Sequence, residues 1–267
     1  MGSFVTGDTN WDTRTRLLLV LVAIAIIGVL GFVPPIAQNS AYHAFCDTRA
    51  LLLVPNALNV FSNLPFFVIG VAGLLWLSRR PESLGRDLVP SYAVFFAGLA
   101  ATAFGSAYYH WAPTDETLFW DRLPIAVAFM GLFTGVLAER VTPAATRLLV
   151  PLIIFGGGSV VYWRLTGDLR LYALAKFLPL ALIPLILWLY PARWSRGGDV
   201  MIALGCYLVA KLFEDWDLAA YDALGKLVSG HTIKHLVAAV GVWWLYRMLT
   251  QRDRLPSIEQ GRADGHE

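Results

Sequence analysis

Apolar runs of about 20 residues recur along this chain, and no other feature limits its fold so strongly. That length is what an α-helix needs to cross the hydrocarbon core of a bilayer. Lipid offers no hydrogen bonds, so a crossing segment must satisfy its own backbone groups, which a helix does. Read with that ruler, the sequence predicts spans near 15–37, 55–78, 88–111, 117–138, 143–163, 170–191, 198–213 and 230–249. The first is unbroken from Leu17 to Val33. It exceeds the apolar region of a secretory signal and lacks a clear small-residue cleavage site, so it is expected to be retained. The seventh is the shortest and ends in Lys211, Glu214, Asp215 and Asp217. With 15% charged residues and a mean hydropathy of +0.58, an ordinary soluble domain is excluded. A formal net charge of +2 gives no electrostatic case for nucleic acid. Ten Trp, ten Tyr and fifteen Phe suit interfacial aromatic belts. The expected fold is all-α, a polytopic transmembrane helix bundle.

Basic residues set the expected orientation. If the N-terminus is cytoplasmic, the cytoplasmic segments hold Arg14, Arg16, Arg79, Arg80, Arg86, Arg140, Arg147, Arg193, Arg196, Arg247, Arg252, Arg254 and Arg262, against Arg49, Arg164, Arg170 and Lys226 outside. Thirteen against four satisfies the positive-inside rule with both termini cytoplasmic. Cys46 in a loop and Cys206 in an apolar run lie in different surroundings, so no disulfide is expected.

Three of the five histidines sit where predicted spans meet water. His110 ends the third span, and His231 and His235 begin the eighth. Residues four apart share a helix face, so His231 and His235 can hold one ion together. A third imidazole from another helix completes the ligand set of a catalytic zinc site with one position open. Ser106 lies one turn before His110, and Asp121 follows after a short loop containing Pro113. The predicted topology puts His110, Asp121, His231 and His235 at one depth, near the outer leaflet. Taken singly, each has a plainer reading. An intramembrane histidine commonly bonds a neighbouring helix, a serine back-bonds to its own turn, and Asp121 with Arg122 can form an interfacial ion pair. Lys211 and Glu214 read as a helix-end pair, and Lys234 as a side chain reaching to the outer surface. The coincidence of depth favours a site.

The order Ser106, His110, Asp121 and then H-x-x-x-H opening the last helix resembles the alkaline ceramidase family. That family is one branch of a superfamily of seven-helix membrane hydrolases that includes adiponectin-receptor-like proteins. The stretch from Asn56 to Leu64, NALNVFSNL, is similar to the N-x-x-S-N-L segment opening the family's first core helix. The likeness runs from about Asp47 to Arg247. It implies that His110, His231 and His235 are zinc ligands, Asp121 the catalytic acid/base and Ser106 a hydroxyl assisting at the substrate carbonyl. The implied reaction is hydrolysis of a ceramide-like lipid amide to a sphingoid base and a fatty acid. The implied organisation is a tail and extra helix over 1–40, a seven-helix hydrolase core over 41–250 and a disordered cytoplasmic tail over 251–267. Two features depart from the family: the added first helix, and the region AFCDTRALLLVPN where the ceramidases carry an acidic calcium-binding stretch. Here only Asp47 and Asn56 offer obvious oxygen ligands for Ca2+, which takes six to eight.

The expected protein is thus a zinc amidase of the plasma (inner) membrane, drawing a lipid amide from the bilayer. One rival is a receptor-like or structural protein whose zinc ties three helices together. A structural site more usually takes a fourth protein ligand. Another is a proton-coupled transporter, which would string polar residues through the membrane rather than gather them at one depth.

Overall fold

The computed structural model describes residues 12–256. Among these there is no β-strand beyond isolated bridges, and the helices are α1 (Thr13–Phe32), α2 (Ala57–Phe61), α3 (Leu64–Arg79), α4 (Pro81–Leu84), α5 (Val89–Trp111), α6 (Asp115–Arg140), α7 (Leu149–Thr166), α8 (Arg170–Leu189), α9 (Asp199–Asp215), α10 (Asp217–Ala223) and α11 (Gly230–Gln251). Six helical stretches are long and apolar enough to cross a membrane: Thr13–Phe32, Ala57–Arg79, Arg86–Trp111, Asp115–Arg140, Pro143–Thr166 and Arg170–Leu189. They coincide with the first six predicted spans. The remaining two spans appear as α9, which has 17 residues, and α11, whose His231, Lys234, His235 and Arg247 lower its hydropathy. The protein is an all-α bundle of the membrane class.

Local chemistry starts these helices where the sequence suggests. The Asp12 carboxylate accepts from the Thr15 amide at 2.7 Å and caps α1. Thr114 and Thr117 form a reciprocal capping box at the start of α6, with Asp115 and Glu116 in its first turn, where acidic groups favour the helix dipole. The Ser229 hydroxyl caps α11 by accepting from the Thr232 amide at 3.1 Å.

α1 is a compact unit by itself, and the chain from Pro35 onward forms a second. Within the second unit α3 packs on α5, α5 on α6, and α6 on both α7 and α8, while α9 pairs with α11 and α11 returns to α3. α8 and α9 make at most marginal direct contact. Residues 36–39, grouped with the first helix by sequence, are tied to the later helices. The Ile36 amide donates to Asp168 at 3.2 Å, and the Ile36 carbonyl accepts from the Leu169 amide at 2.8 Å.

The start of the expected disordered tail is ordered. Arg252 is buried and its guanidinium donates to Glu139 at 2.6 Å. The Ser195 amide donates to the Asp253 carbonyl at 2.9 Å, and the Leu255 amide to the Arg193 carbonyl at 2.9 Å. Polarity alone suggested a solvated tail, but a buried carboxylate on α6 draws Arg252 in. Residues 257–267 lie outside the described residues.

Candidate metal centre and its cavity

His110 on the last turn of α5 meets His231 and His235 on the first two turns of α11. All three are buried, and one ring nitrogen from each lies within 4.8 Å of the others. Ring centroids are 4.8 Å apart for His110 and His231, 4.9 Å for His110 and His235, and 5.0 Å for His231 and His235. One close helix approach makes this possible. A Cβ on Gly230 would stand 2.4 Å from the Phe213 carbonyl oxygen, so only glycine lets α11 start against the end of α9. The Asp217 carboxylate then accepts from the His231 amide at 2.7 Å and from the Cys46 amide at 3.3 Å, fixing the first turn of α11.

The hydrogen bonds around the rings leave nitrogen lone pairs for an ion. Ser62 donates its hydroxyl to the Asn59 carbonyl at 3.0 Å, so its oxygen accepts from His235 Nδ1 at 2.7 Å. The proton therefore sits on Nδ1, and Nε2 keeps its lone pair, as in metal sites whose imidazoles are oriented by an outer partner. His110 Nδ1 is buried with no hydrogen-bond partner, an orphan of the kind that a bound ion satisfies. His231 Nε2 accepts from the Lys234 ammonium at 2.9 Å. That bond and a metal bond through the same nitrogen exclude one another, since the nitrogen has one lone pair. Phe45 covers the cluster, its ring 4.8 Å from His110 and 4.7 Å from His231. Three imidazoles shielded by an aromatic ring fit a divalent transition-metal ion; the geometry does not choose which.

Asp121 comes to the same region from α6. A Cβ on Gly105 would lie 2.0 Å from the Trp120 carbonyl oxygen, so glycine at that point brings α5 and α6 into backbone contact. The Ser106 hydroxyl then lies within hydrogen-bonding reach of the Asp121 carboxylate. Both residues, with His235, line a cavity of about 230 Å³ enclosed by α3, α5, α6, α8, α9 and α11. Its deeper wall is apolar, including Phe66, Phe95, Leu99, Phe129, Ile183 and Leu245.

Three sequence readings change here. Lys234 does not reach outward; it turns in to Glu214 at 3.1 Å and to His231, because a buried carboxylate on α9 offers a better partner than the surface. Glu214 pairs with Lys211 as the spacing suggested, but it is no solvated helix end. Its side chain is 12% exposed and it also accepts from the Tyr42 hydroxyl at 2.9 Å. Burial and the Glu214 charge hold the Tyr42 phenol well above the ordinary tyrosine range, so it acts as a donor. Arg122 makes no ion pair with Asp121; it donates to the Gln38 side chain at 2.6 Å and stacks on Trp163 at 4.4 Å and Tyr172 at 5.0 Å.

The two residues considered for calcium are already engaged. Asp47 accepts from Arg49 Nε at 2.8 Å and Nη2 at 2.7 Å, which holds its carboxyl below the usual range. The Asn56 amide donates to the His110 carbonyl at 2.8 Å. Cys46 is not one of the converging groups, and burial and the neighbouring Asp217 push its thiol up to about 12. Sequence reasoning missed Phe45, Ser62 and Lys176. Lys176 carried a signal as a basic residue well inside a predicted span, and Ser62 as the serine of the N-x-x-S-N-L stretch, though neither was given a role at the site. Compared with known proteins, the chain matches no protein-family model and no curated protein sequence.

Proposed function

We propose that the protein is a zinc-dependent hydrolase that cleaves the amide of an N-acylated, ceramide-like lipid, with Asp121 as general acid/base and His110, His231 and His235 as zinc ligands. The observation that carries this reading is a shared cavity: a carboxylate, a hydroxyl and an imidazole of the triad line one space whose deeper wall is apolar. A structural metal site has no use for the carboxylate or the space.

A zinc ion held by three neutral imidazoles supplies Lewis acidity and makes a water nucleophilic at neutral pH. Asp121 takes the proton of the attacking water and delivers it to the departing amine nitrogen, so the C–N bond breaks as the new C–O bond forms and the products are a fatty acid and an amine. The Ser106 hydroxyl donates its one proton to the Asp121 carboxylate in the resting site, and turns it to the carbonyl oxygen once Asp121 carries the water's proton and negative charge develops there. The apolar wall takes the acyl chain. α8 and α9 both line the cavity and are only marginally packed on each other, with Lys176 and Tyr207 meeting across the gap, so a lipid enters between them from the bilayer. The positive-inside count supports a position for this end in the outer leaflet of the plasma (inner) membrane, with both termini cytoplasmic.

The test is mass-spectrometric detection of fatty acid and amine after incubating the purified protein with a panel of lipid amides. Turnover is expected to fall with a zinc chelator and by roughly 10²–10⁴-fold in Asp121→Asn, the usual worth of a general acid/base. The variant should keep its metal, measured by elemental analysis. Activity that survives both changes sinks the mechanism. Bound zinc with no turnover of any lipid amide supports the structural or receptor-like reading instead.

A further inference from the structure

The charges around the cavity do not balance. Six charged side chains line it: Asp121, Glu214, Arg122, Lys176, Lys211 and Lys234. Glu214 is shared by Lys211 and Lys234. Asp121 is held by Ser106. Among the described residues neither remaining cation has a carboxylate within 4 Å, although the charge of Asp121 reaches both and that of Glu214 reaches Lys176. Arg122 is 7% exposed, its one hydrogen-bond partner is neutral Gln38, and its Nη1 is buried with no partner at all. Lys176 lies beside the Tyr207 hydroxyl, with its ammonium 5.8 Å from the Tyr207 ring centre and 5.5 Å from that of Phe177. The Tyr207 hydroxyl, like Arg122 Nη1, is buried, and apart from the nearby Lys176 it has no hydrogen-bond partner.

Depth makes the arrangement a site rather than a scatter. Arg122 stands seven residues beyond Asp115, the first of α6, and Lys176 six beyond Arg170, the first of α8. Both α6 and α8 start at the end where the histidines lie, so at 1.5 Å per residue the two cations sit roughly 10 Å below the helix starts. Removing a cation from water without a counter-charge costs several kcal/mol. The aromatic rings of Trp163 and Tyr172 offset part of that for Arg122, by up to about 2 kcal/mol. Lys176 has less. An anion entering the cavity would satisfy both cations and the Tyr207 hydroxyl together, in charge-assisted hydrogen bonds that a neutral head group cannot make.

We propose that Arg122 and Lys176 form an anion subsite, and that the lipid amide cleaved here carries a carboxylate or phosphate on its amine half. This rests on the amidase reading for the cleavage but not for the binding. The acyl chain occupies the apolar wall, the amide carbonyl lies at Ser106 and Asp121, and the anion faces α6 and α8. Arg122 and Lys176 are specificity-determining residues: they select the substrate and take no proton.

The experiment compares substrates that differ only in charge, using full-length zinc-loaded protein in nanodiscs. N-palmitoylglycine is set against N-palmitoylethanolamine for the carboxylate, and ceramide 1-phosphate against ceramide for the phosphate. The wild type is expected to favour one anionic partner at least tenfold in kcat/KM, and the favoured pair identifies the anion. That preference should shrink about tenfold in Arg122→Gln and in Lys176→Met, and return in Arg122→Lys and Lys176→Arg. Equal rates on charged and neutral partners, or a preference unchanged in both neutral variants, overturns the subsite. If no amide is cleaved, the amidase reading has failed and the subsite is judged by binding. Tighter Kd for the anionic member, lost in Lys176→Met, supports it; equal Kd values overturn it.

Discussion

The same three helices, α5, α6 and α11, build a buried polar cluster near each of their ends, and the two clusters are opposites in kind. At one end Glu139 accepts from the Tyr92 hydroxyl at 2.7 Å and from Arg252 at 2.6 Å. The Arg252 side chain is 1% exposed and lies 4.6 Å over the Trp194 ring. The void beside this cluster is only about 10 Å³, room for about one water. At the other end three imidazoles converge, Arg122 and Lys176 have no carboxylate within 4 Å, and the void is about 230 Å³. Both ends bury charge, so burial of charge does not mark a site. What marks the histidine end is the open space that its polar groups line, since each end keeps a buried polar atom without a partner.

The largest effect that tests this contrast comes from the closed end. Glu139→Leu leaves the Arg252 guanidinium buried and unpaired, which costs about 3–5 kcal/mol. The melting temperature in detergent should drop sharply, while zinc per folded molecule stays at the wild-type value. Adding Arg252→Met should recover most of the loss, because a buried ion pair replaced whole by apolar groups is close to neutral. If Glu139→Leu releases zinc from protein that is still folded, the two ends are coupled and the contrast drawn above is wrong.

A second change works at the open end without touching a ligand. Ser62→Ala removes the oxygen that accepts from His235 Nδ1, so the ring loses the partner that fixes its tautomer and orientation. Zinc affinity is expected to fall about 10–100-fold, the usual worth of an outer-shell partner, with little change in melting temperature for the metal-free protein. Competition with a chromophoric chelator reads this directly. Unchanged affinity would mean that packing against Phe45 alone orients the triad.

These clusters differ too in how far the sequence gives them away. The spans were legible because crossing a bilayer demands a fixed length of apolar chain, and six of them stand where length and hydropathy put them. The triad was legible because His231 and His235 are one turn apart and the span count brings His110 to their depth. Asp121 and Ser106 share a cavity wall for the same reason. Phe45 was not legible, and the N-x-x-S-N-L resemblance marked Ser62 without its bond to His235, since a loop and the end of a short helix carry them and nothing periodic says that they fold over α11. Lys234 was misread because helix-face arithmetic sees only its own helix, whereas its partner Glu214 is on α9. Arg252 was misread in the same way, as tail rather than as the counter-ion of Glu139. Polar partners chosen across the bundle depend on the whole packing, which local patterns do not encode.

The smallest effect concerns the clasp that holds the segment over the triad. Asp168, in the loop between α7 and α8, accepts from the Ile36 amide at 3.2 Å and from Arg170 Nε at 2.8 Å. Ile36 begins the stretch that supplies Gln38, Tyr42 and Phe45 to the site, so Asp168 secures the cover while Glu139 secures the far end. The hydrogen bond from Arg170 is the chief cause that lowers the Asp168 carboxyl below its ordinary range, with the Arg170 and Ile36 amides adding to it. A carboxylate with a lowered folded-state pKa stabilises the protein above its unfolded pKa of about 3.9, and that contribution fades as pH falls through the folded value. Asp168→Asn should therefore cost about 1–2 kcal/mol near pH 7, and the gap from wild type should narrow as the pH drops below about 4. Melting temperatures of both proteins across that range decide it. A gap independent of pH would assign the loss to the shape of the side chain rather than its charge, and the cover would then be held by packing alone.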